Sequence, residues 1–447
     1  MQGHRFRLYP DAASAQTLMR WIGCQRWIYN AKCSEDRYFR RFARKSLSHA
    51  GQFAPVDGTY SHFITEDSQW LREVPSHVLR NGAASWVTAY SRFFKKLAGR
   101  PTMKSRHGEQ GLWLTSELFR FEQDGDKHRI VIGTKKHPVG VVPFTPNRGA
   151  KTGTGQRQPL SFQTPASIHI KLDAGRWFVS FSNKTETVEA KDEDTAAWLA
   201  TFDLEALGAR ALGIDRGVAV PFQCSSGASF DLTPAQRERI AKKQAAAARW
   251  QRKLSRRAKG GANRRKAAQR IAALRRYEAD VRKDFAHQTS HRLVADEQVK
   301  LLVFEALGVR RMTARPKAKQ DEQGRWIRNG ARAKAGLNRA ILGSAWGRTK
   351  DNCTYKARRA GKLVLEVPAP YTSQACSQCG YTHPDNRPSQ AEFVCQRCGH
   401  SENADLNASR NIRDRGVDLI LSGEFAPKAK KQIRRLREKK PVGADCS

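Results

Sequence analysis

The sequence predicts a multidomain α+β chain: a β domain interrupted by a helical insertion, then an α/β domain that carries a small cysteine-rich ribbon. Three observations point there. Strand-like alternation at residues 3–9 and again between 118 and 184 flanks a long stretch of helical periodicity. The short apolar runs ALGID and KLLVF then alternate with strongly basic helical segments. Two C-x2-C pairs, Cys376 with Cys379 and Cys395 with Cys398, have the spacing of a structural zinc site.

A chain of 447 residues is long enough for two or three domains with a sizeable core. It holds 81 Lys and Arg against 42 Asp and Glu, a formal net charge of +39, with 39% hydrophobic residues. That is too apolar for a disordered polycation and too basic for an ordinary metabolic enzyme. Such a surplus repels itself unless a polyanion neutralises it, so nucleic acid is the expected partner and a membrane is not. Of nine cysteines, four are consumed by the ribbon and five are scattered, which predicts a reducing compartment. The first residues lack a signal peptide's apolar region, and no apolar run nears the ~20 residues of a membrane helix, so a cytoplasmic location is expected.

Taken in order, residues 3–9 set His4, Phe6 and Leu8 against Arg5, Arg7 and Tyr9 and stop at Pro10 and Asp11, as a lone strand would. A lone strand needs a partner, which the later sheet supplies. Residues 12–104 are helical in pattern, with Leu18, Trp21, Ile28, Val78, Trp86 and Tyr90 as core candidates and a polar loop at 46–67. Arg80, Lys95, Lys104 and Arg106 are candidates for contacts to a nucleic-acid backbone. The clearest hairpin is IHIKL and WFVSF around Asp173-Ala174-Gly175, and residues 146–159, rich in Gly, Pro and Thr, read as a loop. Asp215 lies in the middle of the apolar run ALGIDRGVAVPF. Residues 233–299 are helical, broken near Gly260 and Gly261, with 18 Lys and Arg against 4 acids between 236 and 285. The strand KLLVFEAL ends on Glu305; residues 308–360, with 15 basic and 3 acidic residues, read as a basic loop and a helix. LVLEV is a further strand leading to the ribbon, and Asp405 opens a helix capped by Asn403. The tail, 427–447, reads as basic and flexible.

Three lone carboxylates, Asp215, Glu305 and Asp405, therefore sit in or at the ends of apolar elements, where an ionised acid is costly without a positive partner. Hard divalent ions such as Mg²⁺ take such carboxylates together with phosphate oxygens, and a pair of ions serves phosphodiester hydrolysis. Each acid alone has a structural reading as a cap or ion-pair partner; the three together in so basic a chain favour chemistry.

Here the sequence resembles the OrfB/TnpB family of transposon-encoded RNA-guided nucleases and the similar miniature type V CRISPR effectors. The motifs are FRLYP with CQRWIYN, WLREVPSHVLRN, RFFKK with PTMKSR, KLDAGRWFVSFS, GIDRG, VFEAL, YTSQACSQCG and CQRCGHSENADLNASRNI, spread over nearly the whole length. The resemblance implies a β-barrel-like wedge domain (1–10 and 111–195) with an inserted helical recognition lobe (11–110). It implies next a RuvC nuclease domain of the RNase H fold (205–370, helical insertion 233–299), a zinc ribbon acting as target-strand loading module (371–402) and a third RuvC motif (403–426). It makes Asp215, Glu305 and Asp405 the Mg²⁺-binding acids and adds guide RNA and target double-stranded DNA as partners. By position, Ser76, His77 and Arg80 become candidates for reading a short motif beside the target, and Arg397 and Arg410 for holding the scissile strand. Arg216 stands where many relatives have an apolar residue, and Met103 where an aromatic is frequent. The form NADLNAS leans towards the miniature CRISPR branch, with the guide's origin open.

The expected activity is thus an RNA-guided double-stranded DNA endonuclease, working as a monomer with a large RNA, a dimer being the alternative. The competing readings are an RNA-guided binder with little cleavage, a transposase acting without a guide, and a zinc-ribbon protein with no chemistry.

Overall fold

The computed structural model describes residues 2–43, 46, 56–124, 127–145, 164–183 and 189–425. The expected loop at 146–159 and the tail at 427–447 lie outside the described residues. The chain divides into two compact units, one within Met1–Glu186 and the other within Thr187–Ile433.

The first unit contains β1 (Gln2–Leu8), α1 (Ala12–Tyr38), α2 (Ser76–Phe94), β2 (Gln110–Thr115), β3 (Phe119–Asp124), β4 (Lys127–Gly133), β5 (Pro138–Thr145), β6 (Ser167–Asp173) and β7 (Arg176–Asn183). Its strands form one antiparallel sheet in the order β2-β6-β7-β1-β5-β4-β3. β1 pairs with β7 and β5, so the lone first strand is completed by chain that arrives more than a hundred residues later. The β6–β7 hairpin turns at Ala174 and Gly175, both with positive φ (49° and 76°), as a tight two-residue hairpin loop requires. Asp11 caps α1 by accepting from the Ser14 amide at 2.7 Å, which is why the strand signal stops at Pro10. Leu18, Trp21 and Ile22 of α1 and Val78 and Leu79 of α2 share one core with Leu112, Ile130, Ile170 and Val179 of the sheet. Buried Gln25 ties α1 to both neighbours, donating to the carbonyls of Val78 (3.2 Å) and Trp113 (2.9 Å) and accepting from the Trp113 amide (2.9 Å). Of the helical aromatics, Trp21, Trp86 and Tyr90 are buried, whereas Tyr38, Phe42 and Phe94 are exposed.

The second unit opens with α3 (Asp192–Leu199) and α4 (Leu204–Ala209), then β8 (Ala211–Asp215), β9 (Phe222–Cys224) and β10 (Ser229–Phe230). The helices α5 (Pro234–Ser255) and α6 (Ala262–Ala295) follow, then β11 (Leu301–Glu305), α7 (Val309–Met312), and the small hairpin β12 (Lys319–Gln320) and β13 (Trp326–Ile327). The chain continues with α8 (Ala331–Gly343), α9 (Trp346–Arg359), β14 (Leu363–Val367), the ribbon strands β15 (Glu392–Val394) and β16 (Ser401–Asn403), and α10 (Ala404–Leu421). Two expectations are corrected. Asp215 ends its strand instead of lying inside it, and the basic stretch after Glu305 holds a hairpin and two helices beyond a short first turn.

The main sheet runs β10-β9-β8-β11-β14, with β8, β11 and β14 parallel and β9 and β10 antiparallel to their neighbours. Every residue of β8 and β11 is buried, because both faces are covered. Leu301 and Val303 join Ile412, Val417 and Ile420 of α10 in one core; Leu302 and Phe304 join Phe285, Leu293, Trp346 and Cys353 of α6 and α9 in the other. Continuous apolar runs, not alternation, are the signature of such strands. Of the two long helices, α5 contributes little to these cores, Ala247 being its one buried residue, whereas α6 adds Phe285, Leu293 and Val294 near its C-terminal end. Thr233 and Gln236 form a capping box that starts α5, and the predicted break falls between Ser255 and Ala262. No helix of the described residues is long and apolar enough to cross a membrane.

The helix α10 sits on the sheet by direct backbone contact. A Cβ on Gly213 would lie 1.9 Å from the Ser409 carbonyl oxygen, and one on Gly416 would lie 2.4 Å from Val303 Cγ2. Gly213→Ala should therefore force the helix off β8 and lower the thermal unfolding midpoint by several degrees or more. Gly336→Ala, on an exposed helix face with nothing within 4 Å, should be neutral or stabilising. Equal midpoints for the two variants in calorimetry would contradict the close approach.

Candidate functional site

The second unit's sheet delivers two acids to the same edge. Asp215 is the last residue of β8 and Glu305 the last of β11, and these strands are parallel neighbours with Phe304 opposite Ile214. Asp405 is the second residue of α10, whose N-terminus Asn403 caps by accepting from the amides of Asp405 (3.0 Å) and Leu406 (3.2 Å). All three acids line one cleft, together with Arg216, Thr372 and Arg387.

Asp215 is 9% exposed, and burial, then the Glu305 and Asp405 carboxylates, push its pKa up to about 7. Burial also raises Glu305, opposed by the Thr372 hydroxyl that donates to it. Burial raises Asp405, opposed by the guanidinium of Arg387 at 3.6 Å. Arg216 is 6% exposed; its Nη2 donates to the Glu305 backbone carbonyl, its guanidinium lies 5.8 Å from the Phe304 ring, and its Nε has no partner. The cleft is thus acidic at its centre and carries two cations at its walls, the charge pattern expected of a site for divalent cations and phosphate.

The four ribbon cysteines come together. Cys376 and Cys398 sulfurs lie 3.7 Å apart, Cys379 and Cys395 sulfurs 3.6 Å, and all four within 4.8 Å, so the group could hold a metal ion. Each C-x2-C pair closes a turn in which the amide of the following glycine, Gly380 or Gly399, donates to the first cysteine's carbonyl at 2.9 or 3.0 Å. Both glycines have φ near +70°, the left-handed conformation that ends such a turn.

The ribbon is bonded to the acids. Asn407 of α10 donates to the Ala375 carbonyl (2.8 Å) and accepts from the Ser377 amide (2.9 Å), and Asn411 donates to the carbonyls of Thr372 (2.8 Å) and Ala375 (2.7 Å). Tyr371, at φ +66°, turns the chain so that Thr372 reaches Glu305. Inside the ribbon insert, fully buried Asn386 donates to the carbonyls of Gln374 (2.9 Å) and Tyr381 (3.0 Å) and accepts from the Gln396 amide (2.9 Å), fixing the backbone next to Arg387.

Arg387 is the cleft residue the sequence reading missed. The resemblance pointed by position to Arg397 and Arg410, but Arg397 is exposed on the second cysteine turn and Arg410 pairs with Glu402 at 3.1 Å; neither lines the cleft. No local pattern marks Arg387 in a polar insert. The remaining candidates lie in the first unit. Ser76 is exposed and His77 half-buried in the first turn of α2, while Arg80 is committed to Glu117 (3.0 Å) and Thr115 (3.3 Å). Lys95 ends α2 in solvent, Lys104 holds its ammonium 3.8 Å from the Tyr29 ring centre, and Arg106 is exposed in a loop that Gln110 clamps by its carbonyl at 2.7 Å.

Three family models match the chain: a helix-turn-helix domain over residues 1–33, a probable transposase family over 191–315, and the Cas12f1-like TNB domain over 346–412. Within residues 1–33 the structure has one strand and part of one unbroken helix. The chain is 28% identical over 431 residues to the Escherichia coli (strain K12) protein named "Putative RNA-guided DNA endonuclease InsQ", covering 95% of this chain and 94% of that protein. It is 47% identical over 68 residues to "CRISPR-associated endodeoxyribonuclease Cas12f1" of Sulfoacidibacillus thermotolerans, 15% of this chain and 16% of that protein. Its fold resembles the protein in a cryo-EM structure of a Cas12f1-sgRNA-target DNA complex, with a TM-score of 0.52 at 14% identity over 91% of this chain and 83% of the other. The family resemblance read from the motifs is therefore found again by comparison at both ends of the chain and across its middle.

The raised Asp215 pKa has a signed consequence. The unfolded acid ionises near the ordinary aspartate value of 3.8 and the folded one at about 7, so without divalent cations stability falls as pH rises between these values and is level above. Asp215→Asn removes that loss. The variant's unfolding midpoint relative to the parent should climb between pH 4 and 8, by at most about 4 kcal/mol in stability. A difference that stays flat across this window in cation-free buffer would refute the buried-acid assignment.

Proposed function

We propose that the chain is an RNA-guided double-stranded DNA endonuclease that hydrolyses phosphodiester bonds at the cleft of Asp215, Glu305 and Asp405. The observation that carries this reading is the meeting of three sequence-distant acids with Arg216 and Arg387 in one cleft. The strand order, three antiparallel strands and then two parallel to the first, supports the RNase H-like RuvC domain that the resemblance implied. The net charge of +39 supports nucleic-acid partners, and the relative named "Putative RNA-guided DNA endonuclease InsQ" supports a guide RNA that reads the sequence by base pairing.

Asp215, Glu305 and Asp405 would hold Mg²⁺, their oxygen donors being those a hard cation prefers. When bound, a pair of such ions activates water and stabilises the leaving oxygen. The chain's own groups do the rest. Thr372 orients the Glu305 carboxylate, Arg216 braces the Glu305 main chain, and Arg387 offers its fork of donors to phosphate oxygens. The four cysteines would hold structural Zn²⁺: tetrahedral thiolates at ~2.3 Å from zinc stand ~3.8 Å apart, close to the spacings found. A monomer assembled with a large guide RNA is the working form, a mass that light scattering of the purified complex checks.

The deciding experiment purifies the protein with its native RNA, sequences that RNA, and assays plasmid cleavage with Mg²⁺. Asp215→Asn, Glu305→Gln and Asp405→Asn should each lower cleavage by roughly a thousandfold or more while guide-dependent DNA binding persists. Full cleavage by the triple variant sinks the site assignment, and DNA excision and joining by RNA-free protein would favour a transposase instead. Cys395→Ser should lose about one bound zinc per chain and, with it, activity; active protein without zinc by elemental analysis would be the contrary result.

A further inference from the structure

The excursion that follows Glu305 is firmly rooted yet ends in an uncovered aromatic. Val309 and Met312 pack against the core, the Thr313 carbonyl accepts from Asn338 at 2.9 Å, and Asn329 closes the hairpin base by donating to the Lys317 carbonyl at 3.0 Å. The turn is built around Asp321, whose carboxylate accepts from the amides of Gln323 (3.0 Å) and Arg325 (2.8 Å). On this ordered frame Trp326 is 72% exposed and Ile327 48% exposed.

Strand geometry puts Trp326 on one face with its partner Gln320 and Ile327 on the other with Lys319, and all four are exposed. A hairpin this short is marginal by itself, and an indole left in water gains nothing for the fold. Its surroundings select a polyanion: residues 308–328 hold seven Lys and Arg against two acids, one of them Asp321, already used by the turn.

We infer that the β12–β13 hairpin is a stacking prong for single-stranded DNA, in which Trp326 takes the face of one unpaired base while exposed Arg325 and Arg328, its neighbours in the chain, meet the flanking phosphates. A flat π surface beside cations is the usual means of holding a single strand without regard to sequence. A duplex offers its phosphates but not its base faces, so the indole discriminates against it. The choice of DNA over RNA rests on the proposed nuclease function; the stacking does not.

The test measures fluorescence anisotropy of the full-length protein with a labelled oligo-dT strand, an oligo-rU strand and a duplex of equal length, without divalent cations, so cleavage plays no part. Trp326→Ala should weaken oligo-dT binding by several-fold to about a hundredfold, leave its salt slope unchanged and spare the duplex. Trp326→Phe should retain most of the affinity. Arg325→Ala with Arg328→Ala should instead flatten the salt dependence. Iodouracil placed in the strand should crosslink on irradiation to the peptide containing Trp326. Unchanged oligo-dT affinity in Trp326→Ala, equal losses for strand and duplex, a loss confined to oligo-rU, or crosslinks only to other peptides would each overturn the inference. None of these outcomes depends on whether Asp405→Asn abolishes cleavage.

Discussion

The contact on which the second unit depends is between a glycine and a helix backbone. Gly213 has no side chain, and the Ser409 carbonyl of α10 occupies the place where a Cβ would be. Gly416 of α10 makes the converse approach one strand over, where the Val303 side chain fills the place of its missing Cβ. These two approaches fix the depth at which α10 lies on the sheet and hence how far its first turn stands from the ends of β8 and β11. Positioning an acid from a helix against acids from strands needs a rigid spacer, and direct main-chain contact is the stiffest available.

That placement is then shared with the ribbon. Amide side chains of Asn407 and Asn411, buried in α10, bind the main chain on both sides of Cys376, and Thr372 extends the same chain of bonds to Glu305. The ribbon's core is small, with Cys376, Phe393, Cys395 and Ala404 as its buried cluster. So little apolar surface leaves this irregular segment short of core, and beside it stand four thiols close enough together to hold a metal ion. Arg387 reaches the cleft because the insert carrying it is ordered around Asn386.

Much of this was legible in the sequence, for identifiable reasons. The three acids stood out because each interrupts or ends an apolar segment, and the cysteine spacing left little freedom. The partner of the first strand followed from the rule that an edge must be paired. The position of Asp215 at a strand end was not legible, since VAVPF continues the apolar run and only the turn after Arg216 ends the strand. Arg387 was hidden because its place in the cleft depends on a buried asparagine within an irregular insert, which leaves no periodic trace. Arg397 and Arg410 looked equivalent in the sequence; the fold leaves one in solvent and gives the other to Glu402.

The two long helices α5 and α6 have a further meaning. They leave the sheet after β10, return before β11, and bury almost nothing in either core beyond the base of α6. Loop-closure cost rises only slowly with length, so shortening both helices by equal whole turns would scarcely change the entropy of joining those strands. The cleft is indifferent to their extent. Selection on the size of the whole chain can therefore act on this arm as a free variable, lengthening or trimming the reach of its basic surface while the positions of Asp215, Glu305 and Asp405 stay as they are.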